Sequence, residues 1–278
     1  MWLFYALLAA LMWGVGQIFV KKGLNEISSL FNNILSSSIG FIIFIPFALI
    51  NGVHFEKILS IAPFACIVSA LFFSYYYVIG RGQLALTGTV VGTYPIITVI
   101  LSLIFLNESP SIFQKLAIGV IILGTVLVAF PNKVQKTKIG SWLLFALVAV
   151  FMIGTADFMI KLLINKSDLY TYLFTYGICS MLVTILLSLL DKKGRKLPQF
   201  NLKQYLPTFI GVGLIEVGFF IFHLALGEGY VSLVSPISGI YVGITAVLAW
   251  LILKEKISKV QFAGIALAAI GVILVGIN

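Results

Sequence analysis

Residues 94–130 and 241–277 align without a gap at a constant offset of 147, with twelve of 37 positions identical. Matched Leu, Ile and Val say little in an apolar chain. Tyr94/Tyr241, Thr98/Thr245, Glu108/Glu255, Ser111/Ser258, Gln114/Gln261 and Gly124/Gly271 at one register say much more. A chain that states a segment twice folds as two related units, and each unit must pack where its copy also packs.

The medium for that packing follows from composition. The 278 residues are 61% hydrophobic and 10% charged, with mean hydropathy +1.14. A soluble domain carries roughly 25% charged residues, so too few are present to coat a surface in water. A spanning helix needs about 20 mostly apolar residues. Ten such runs occur, over 2–20, 30–50, 61–79, 86–106, 112–130, 141–160, 169–190, 206–226, 231–253 and 259–277. Barrel strands would alternate over about ten residues, whereas these runs are apolar all round. The expected class is therefore an all-α membrane protein whose partner is the lipid bilayer.

The net charge of +9 does not point to nucleic acid, because the basic residues sit at span ends, where they anchor helices and set orientation. Cys66 and Cys179 fall inside spans, so no disulfide framework is indicated. The first span lacks a basic leader and a small-residue cleavage site and is read as a retained helix.

Ten spans and one offset give five plus five. The first span echoes the sixth at an offset of 140 through Ala9/Ala149, Met12/Met152, Gly14/Gly154 and Lys21/Lys161. The third echoes the eighth at 147, where Phe72-Phe73 faces Phe219-Phe220. An odd number of helices per copy turns the second copy upside down, so the expectation is two inverted five-helix repeats, 1–135 and 136–278. The junction is the polar segment Pro131 to Gly140. Fourteen of the eighteen Lys and Arg residues follow odd-numbered spans and four follow even-numbered ones. The positive-inside rule then puts both termini outside the cytoplasm.

Met12-Trp13-Gly14 with Lys21, Gly92-x-Tyr94-Pro95, Phe105-Leu106-Asn107-Glu108 with Gln114 and Gly119, and Leu253-Lys254-Glu255 with Gln261 and Gly264 resemble the ten-helix EamA-type branch of the drug/metabolite transporter superfamily. The resemblance covers essentially the whole chain. It implies a small-molecule substrate, alternating access and a prokaryotic inner membrane. It also implies a monomer or homodimer with the fifth and tenth helices at the dimer interface or the bundle edge. Relatives move amino acids, drugs, nucleotide-sugars, choline-like amines and other metabolites. Most are described with cytoplasmic termini, the reverse of the charge count here.

Ionisable groups inside spans are costly and face a cavity or a partner. Glu216 is the deepest, eleventh in its 21-residue run, and a carboxylate there costs about 3 kcal/mol on an insertion scale. Its bland alternative is a protonated side chain bonded to a neighbouring helix. His223 lies two turns on and shares its face, with Phe219 and Phe220 between them. Glu216 and His223 are the candidates for proton coupling, His223 alternatively bonding a carbonyl. Asp157 is one turn before Lys161, a spacing for a cavity role or for an in-helix ion pair. Gln17 holds the equivalent position before Lys21. Trp13, Tyr76, Tyr94 and Tyr241 are expected to line the cavity, where aromatic faces attract cations, or else simply to pack. Glu108 and Glu255, being repeated, are expected to bond the start of the next helix.

No His-Glu-x-x-His, Gly-x-Ser-x-Gly or nucleotide-binding glycine loop is present, and two His and two Cys are few for a metal site. The sequence therefore reads as no enzyme, with no cofactor and no metal. It reads instead as a secondary-active transporter of a small organic cation or zwitterion. The alternatives are a neutral or lipid-linked substrate, or a non-transporting intramembrane protein. The orientation is testable at once. Reporter fusions at Asn278 and in the connection between the seventh and eighth spans should give opposite signals, with Asn278 outside; a cytoplasmic Asn278 refutes the charge count.

Overall fold

The computed structural model describes residues 1–23, 28–80, 90–129, 141–191 and 202–277, with backbone alone for 21–23, 75–76, 78–80, 141–142 and 202–204. Among these, eleven helices occur: α1 (Trp2–Gly23), α2 (Ser29–Asn51), α3 (Phe55–Gly80), α4 (Pro95–Phe105), α5 (Ile112–Ala129), α6 (Ser141–Lys166), α7 (Leu169–Ser188), α8 (Leu202–Glu228), α9 (Val231–Gly239), α10 (Tyr241–Leu253) and α11 (Lys259–Ile277). Among the described residues, nine segments are long and apolar enough to cross a bilayer, α9 and α10 together forming one of them, and α4 is a shorter apolar helix. The all-helical membrane fold read from the sequence is the fold observed.

Local chemistry sets the helix ends. Ser28 accepts from the Phe31 amide at 3.1 Å to start α2, and Asp168 accepts from the Thr171 amide at 2.9 Å to start α7. The matched Ser and Gln residues are reciprocal caps. Ser111 Oγ accepts from the Gln114 amide at 3.2 Å while Gln114 Oε1 accepts from the Ser111 amide at 2.9 Å. Ser258 and Gln261 repeat this at 3.1 Å in both directions. Each box satisfies two amides that a helix start leaves orphaned, which explains why both residues recur.

Two expected spans are not continuous. The run 231–253 bends between α9 and α10, where the Ile240 amide bonds Ile237 O at 3.2 Å and the Gly243 amide bonds Ile240 O at 2.8 Å. The run 86–106 turns at the same repeat position, with Thr93 to Val90 O at 3.0 Å and Ile96 to Thr93 O at 3.1 Å; residues 86–89 lie outside the described residues. Pro95 opens α4 at the position where a missing amide costs nothing. Past the two helices, Asn107 and Lys254 both take left-handed backbone, at φ 52 and 58. Those two residues lie exposed past the helix ends, whereas the breaks themselves, at membrane depth, are covered by protein, with Val91, Tyr94 and Ile237 buried.

The two halves interlock. α1 runs antiparallel to α8, and a Cβ on Gly16 would lie 2.9 Å from Gly211 O. α5 runs antiparallel to α11 in the same way: a Cβ on Gly124 would come 2.5 Å from Ala268 N, and one on Gly271 2.9 Å from Ile121 N. Gly154 on α6 meets Ile97 and the Tyr94 carbonyl, while Gly14 on α1 meets Ile244 and the Tyr241 carbonyl. Matched hydroxyls follow, Thr98 donating to Gly154 O at 3.1 Å and Thr245 to Gly14 O at 3.3 Å. Residues 147 apart also touch each other. Ser37 and Thr184 share a hydrogen bond of 2.7 Å, and the rings of Phe72 and Phe219 meet at 5.3 Å. Ile42, Leu59, Phe113, Phe262 and other large apolar side chains are left exposed on the outer surface, as a lipid-facing surface requires.

The α5–α11 seam yields a contrast. In Gly124→Ala the new methyl meets backbone, which cannot rotate away, and overpacking of this kind costs about 1–3 kcal/mol. In Gly119→Ala nothing lies within 4 Å, and Ala favours a helix. Thermal unfolding in detergent should show a clear drop in Tm for Gly124→Ala and none for Gly119→Ala; equal values would mean that the seam is not packed this way.

Candidate functional site

The site is built around α8, whose faces meet different helices. Glu216 is 6% exposed and points at α2. The Ser36 hydroxyl donates to Glu216 Oε1 in a short contact. One turn along α2 is Gly40, whose missing side chain leaves the room Glu216 occupies: a Cβ there would lie 3.3 Å from Oε2. A further turn brings Phe44, which meets the rings of Phe220 at 6.1 Å and His223 at 5.6 Å. The α2 series Ser36, Gly40, Phe44 thus runs beside the α8 series Glu216, Phe220, His223, each at helical spacing.

The neighbouring face of α8 meets α1. Trp13 Nε1 donates to Ile215 O at 3.1 Å. Its indole covers Gly218, where a Cβ would lie 2.6 Å from Cδ1 and 2.7 Å from Nε1. The ring meets Phe219 at 5.0 Å, Phe222 at 5.2 Å and Tyr241 at 5.8 Å. Phe219 and Phe220 are therefore not one stripe as expected. At successive positions they are 100° apart, so Phe219 turns to Trp13 and Phe72, and Phe220 to Phe44 and Phe47.

His223 is fully buried. Its Nδ1 lies 2.6 Å from Phe219 O, and since a carbonyl only accepts, Nδ1 carries the proton. In the neutral ring Nε2 then holds the lone pair, and it has no hydrogen-bond partner. Tyr172 at 5.5 Å, Tyr176 at 5.8 Å, Phe44 and Phe222 surround it. The carbonyl bond expected as the alternative role is present, and so is the shared face with Glu216.

Asp157 and Lys161 do not form the in-helix pair. Asp157 accepts from Ser235 Oγ on α9 at 2.8 Å, and Lys161 donates to Leu226 O near the end of α8 at 2.6 Å. Each reaches a partner on another helix that would otherwise be unsatisfied in a dry interior: Lys161 a carbonyl of the last turn of α8, and Asp157 a buried hydroxyl of α9. Glu108 also departs from expectation. The start of the next helix is capped by Ser111, and Glu108 accepts instead from the Val231 and Ser232 amides at 2.8 and 2.9 Å, at the start of α9. A carboxylate at a helix N-terminus and a cation at a C-terminus each gain about 0.3–2 kcal/mol from the peptide dipoles.

Gln17 is half-buried on α1, one turn past Trp13. Tyr94 is buried at the first helix break and Tyr241 half-buried at the second. Glu228 pairs with the Met1 amino group at 3.4 Å on the surface. The side chain of Tyr76, and Arg81, lie outside the described residues. Trp13, Asp157, Glu216 and His223, expected at a central cavity, are closed over by protein. A cleft of about 290 Å³ between α3 and α7, lined by Cys66, Ile67, Ala70, Val183, Leu186 and Leu187, is wholly apolar and contains none of them. Ser36, Gly40 and Tyr172 were not singled out from the sequence. The small-residue spacing Ser36-x3-Gly40 was the available signal.

Comparison with known proteins places this architecture. The EamA-like transporter family matches residues 1–130 and 140–277. The chain is an integral membrane protein and belongs to that family. An uncharacterised protein of Methanocaldococcus jannaschii is 33% identical over 132 residues, spanning 48% of this chain and 93% of the relative. A solved crystal structure superposes with a TM-score of 0.77 at 14% identity, covering 99% of this chain and 96% of the other. That similarity concerns the fold.

The Trp13–Gly218 contact can be broken with one methyl. In Gly218→Ala the indole must leave, which forfeits its bond to Ile215 O, so a variant with Trp13 as sole tryptophan should show a shifted emission maximum and a lower Tm. Unchanged emission means that Trp13 does not rest on α8.

Proposed function

We propose that this chain is a secondary-active transporter of a small organic cation or zwitterion, such as an amine or amino-acid-like metabolite. It works by alternating access between two inverted five-helix halves, 1–135 and 136–278, with proton coupling through Glu216 and assistance from His223. Support for the inverted relation comes from contacts that recur at the repeat offset. These are the matched helix breaks, the Thr98/Gly154 and Thr245/Gly14 bonds, and the self-matched pairs Ser37/Thr184 and Phe72/Phe219. A two-fold axis in the membrane plane would generate all of them. The relative that matches about half of this chain over nearly its whole length fits a five-helix unit.

One observation carries the substrate reading: a carboxylate on a mid-span turn of α8, held by one hydroxyl over a glycine gap. Such a group has little to fix it permanently. A cation entering between α2 and α8 gains the charge of Glu216 and, alongside, the ring faces of Phe44, Phe220 and the Trp13 group. Proton and cation then compete for one carboxylate, and that competition is the coupling of an antiporter. The expected orientation, with termini outside a prokaryotic inner membrane, makes the closed N-terminal face the outer one.

Glu216→Gln keeps shape and bonding capacity but fixes the group neutral. In proteoliposomes it should lower proton-coupled cation flux at least tenfold and flatten its pH profile, while the protein inserts and purifies normally; Glu216→Asp should keep partial activity. Wild-type flux with an unchanged profile in the Gln variant would make Glu216 structural and favour a neutral substrate.

A further inference from the structure

At the N-terminal end of the bundle, α8 turns into α9 through Gly229 and Tyr230, and both helix ends at this corner are held by buried charge. The Lys161 ammonium on α6 binds Leu226 O at the end of α8. The Glu108 carboxylate, past the end of α4, binds the first two amides of α9. Both side chains are buried, and Glu108 acts electrostatically on Lys161. Ser232, on the first turn of α9, is fully buried with its hydroxyl unpartnered. The two holding residues are repeated in the sequence, Lys161 by Lys21 and Glu108 by Glu255.

We infer that Lys161 and Glu108 form the latch that keeps this face of the protein closed, and that Lys21 and Glu255 serve the opposite face. The inference rests on the alternating access proposed above. Opening this face requires the α8–α9 corner to leave α6 and the α4–α5 connection. Doing so breaks three charge-assisted hydrogen bonds in a dry interior, each stronger than a neutral one. Because these bonds exist in the closed state alone, they set the equilibrium between states without touching substrate. Met1 bonded to Glu228, and Lys57 bonded to Ser167 O at 3.0 Å beside Asp168, close the rest of the same rim.

The test uses full-length protein in nanodiscs, with Cys66→Ala and Cys179→Ala removing the native thiols and a water-soluble maleimide as probe. Ser232→Cys reports the corner. Ala268→Cys, in the α5–α11 seam, reports general loosening. Lys161→Met should raise the labelling rate at position 232 about tenfold or more and leave position 268 unchanged. If that variant does not purify, Glu108→Gln is expected to act alike and is measured the same way. No change at 232, or an equal rise at both positions, overturns the latch. Lys21→Met should lower labelling at 232 by favouring opening of the other face. If Lys161→Met acts as stated and Lys21→Met has no effect, the latch stands and alternation between the faces falls.

Discussion

Hydrocarbon cannot hydrogen-bond. A polar group that the chain carries into the bilayer is therefore costly unless it finds its partner within the protein. That constraint organises the molecule. Glu216 finds Ser36, Asp157 finds Ser235, Lys161 finds Leu226 O, and Glu108 finds the two free amides of α9. Trp13 gives its one donor to Ile215 O. Most of these bonds cross between helices distant in sequence, so polar pairing and helix packing reinforce one another. Glycines at the crossings let backbones approach closely enough for the bonds to form, as small residues do in membrane helix pairs generally.

The two halves agree where structure is at stake and differ where chemistry is. Caps, helix breaks, left-handed ends and the Gly–Thr contacts recur at the repeat offset. Glu216 does not: its counterpart at that offset is Ser69, which bonds its own helix at Ala65 O. Asp157 is matched by Gln17 across the repeat, and His223 by Tyr76, which does not share its basicity. The acidic character of the site thus belongs to the second half alone, while the framework that carries it is common to both.

Much of the fold was legible because its signals are local. A run of about twenty apolar residues declares a span, and a Ser-x-x-Gln declares a helix start. The repeat could be read because Glu, Ser, Gln and Gly matches are rare in apolar sequence. The interruptions at 92–94 and at Ile240 lie inside apolar runs, marked there by Gly92 with Pro95 and by Pro236 with Gly239. For the candidate site, spacing made legible the helix face that Glu216 and His223 share. It could not separate Phe219 from Phe220, because one residue's rotation decides which helix each meets. Nor could it give partners. Glu108 reaches a helix 123 residues away, and Lys161 one 65 residues away, and spacing along a single helix is blind to both.

In the proposed function, a mid-span carboxylate beside aromatic rings moves a cation and does not merely hold one. The most direct measurement is uptake of a labelled small organic cation into proteoliposomes that contain only this protein, under an imposed pH gradient. The account predicts accumulation against the cation gradient, in the direction opposite to proton flow, that collapses when a protonophore is added. Folded, inserted protein that passes no cation under either polarity of the gradient would contradict it.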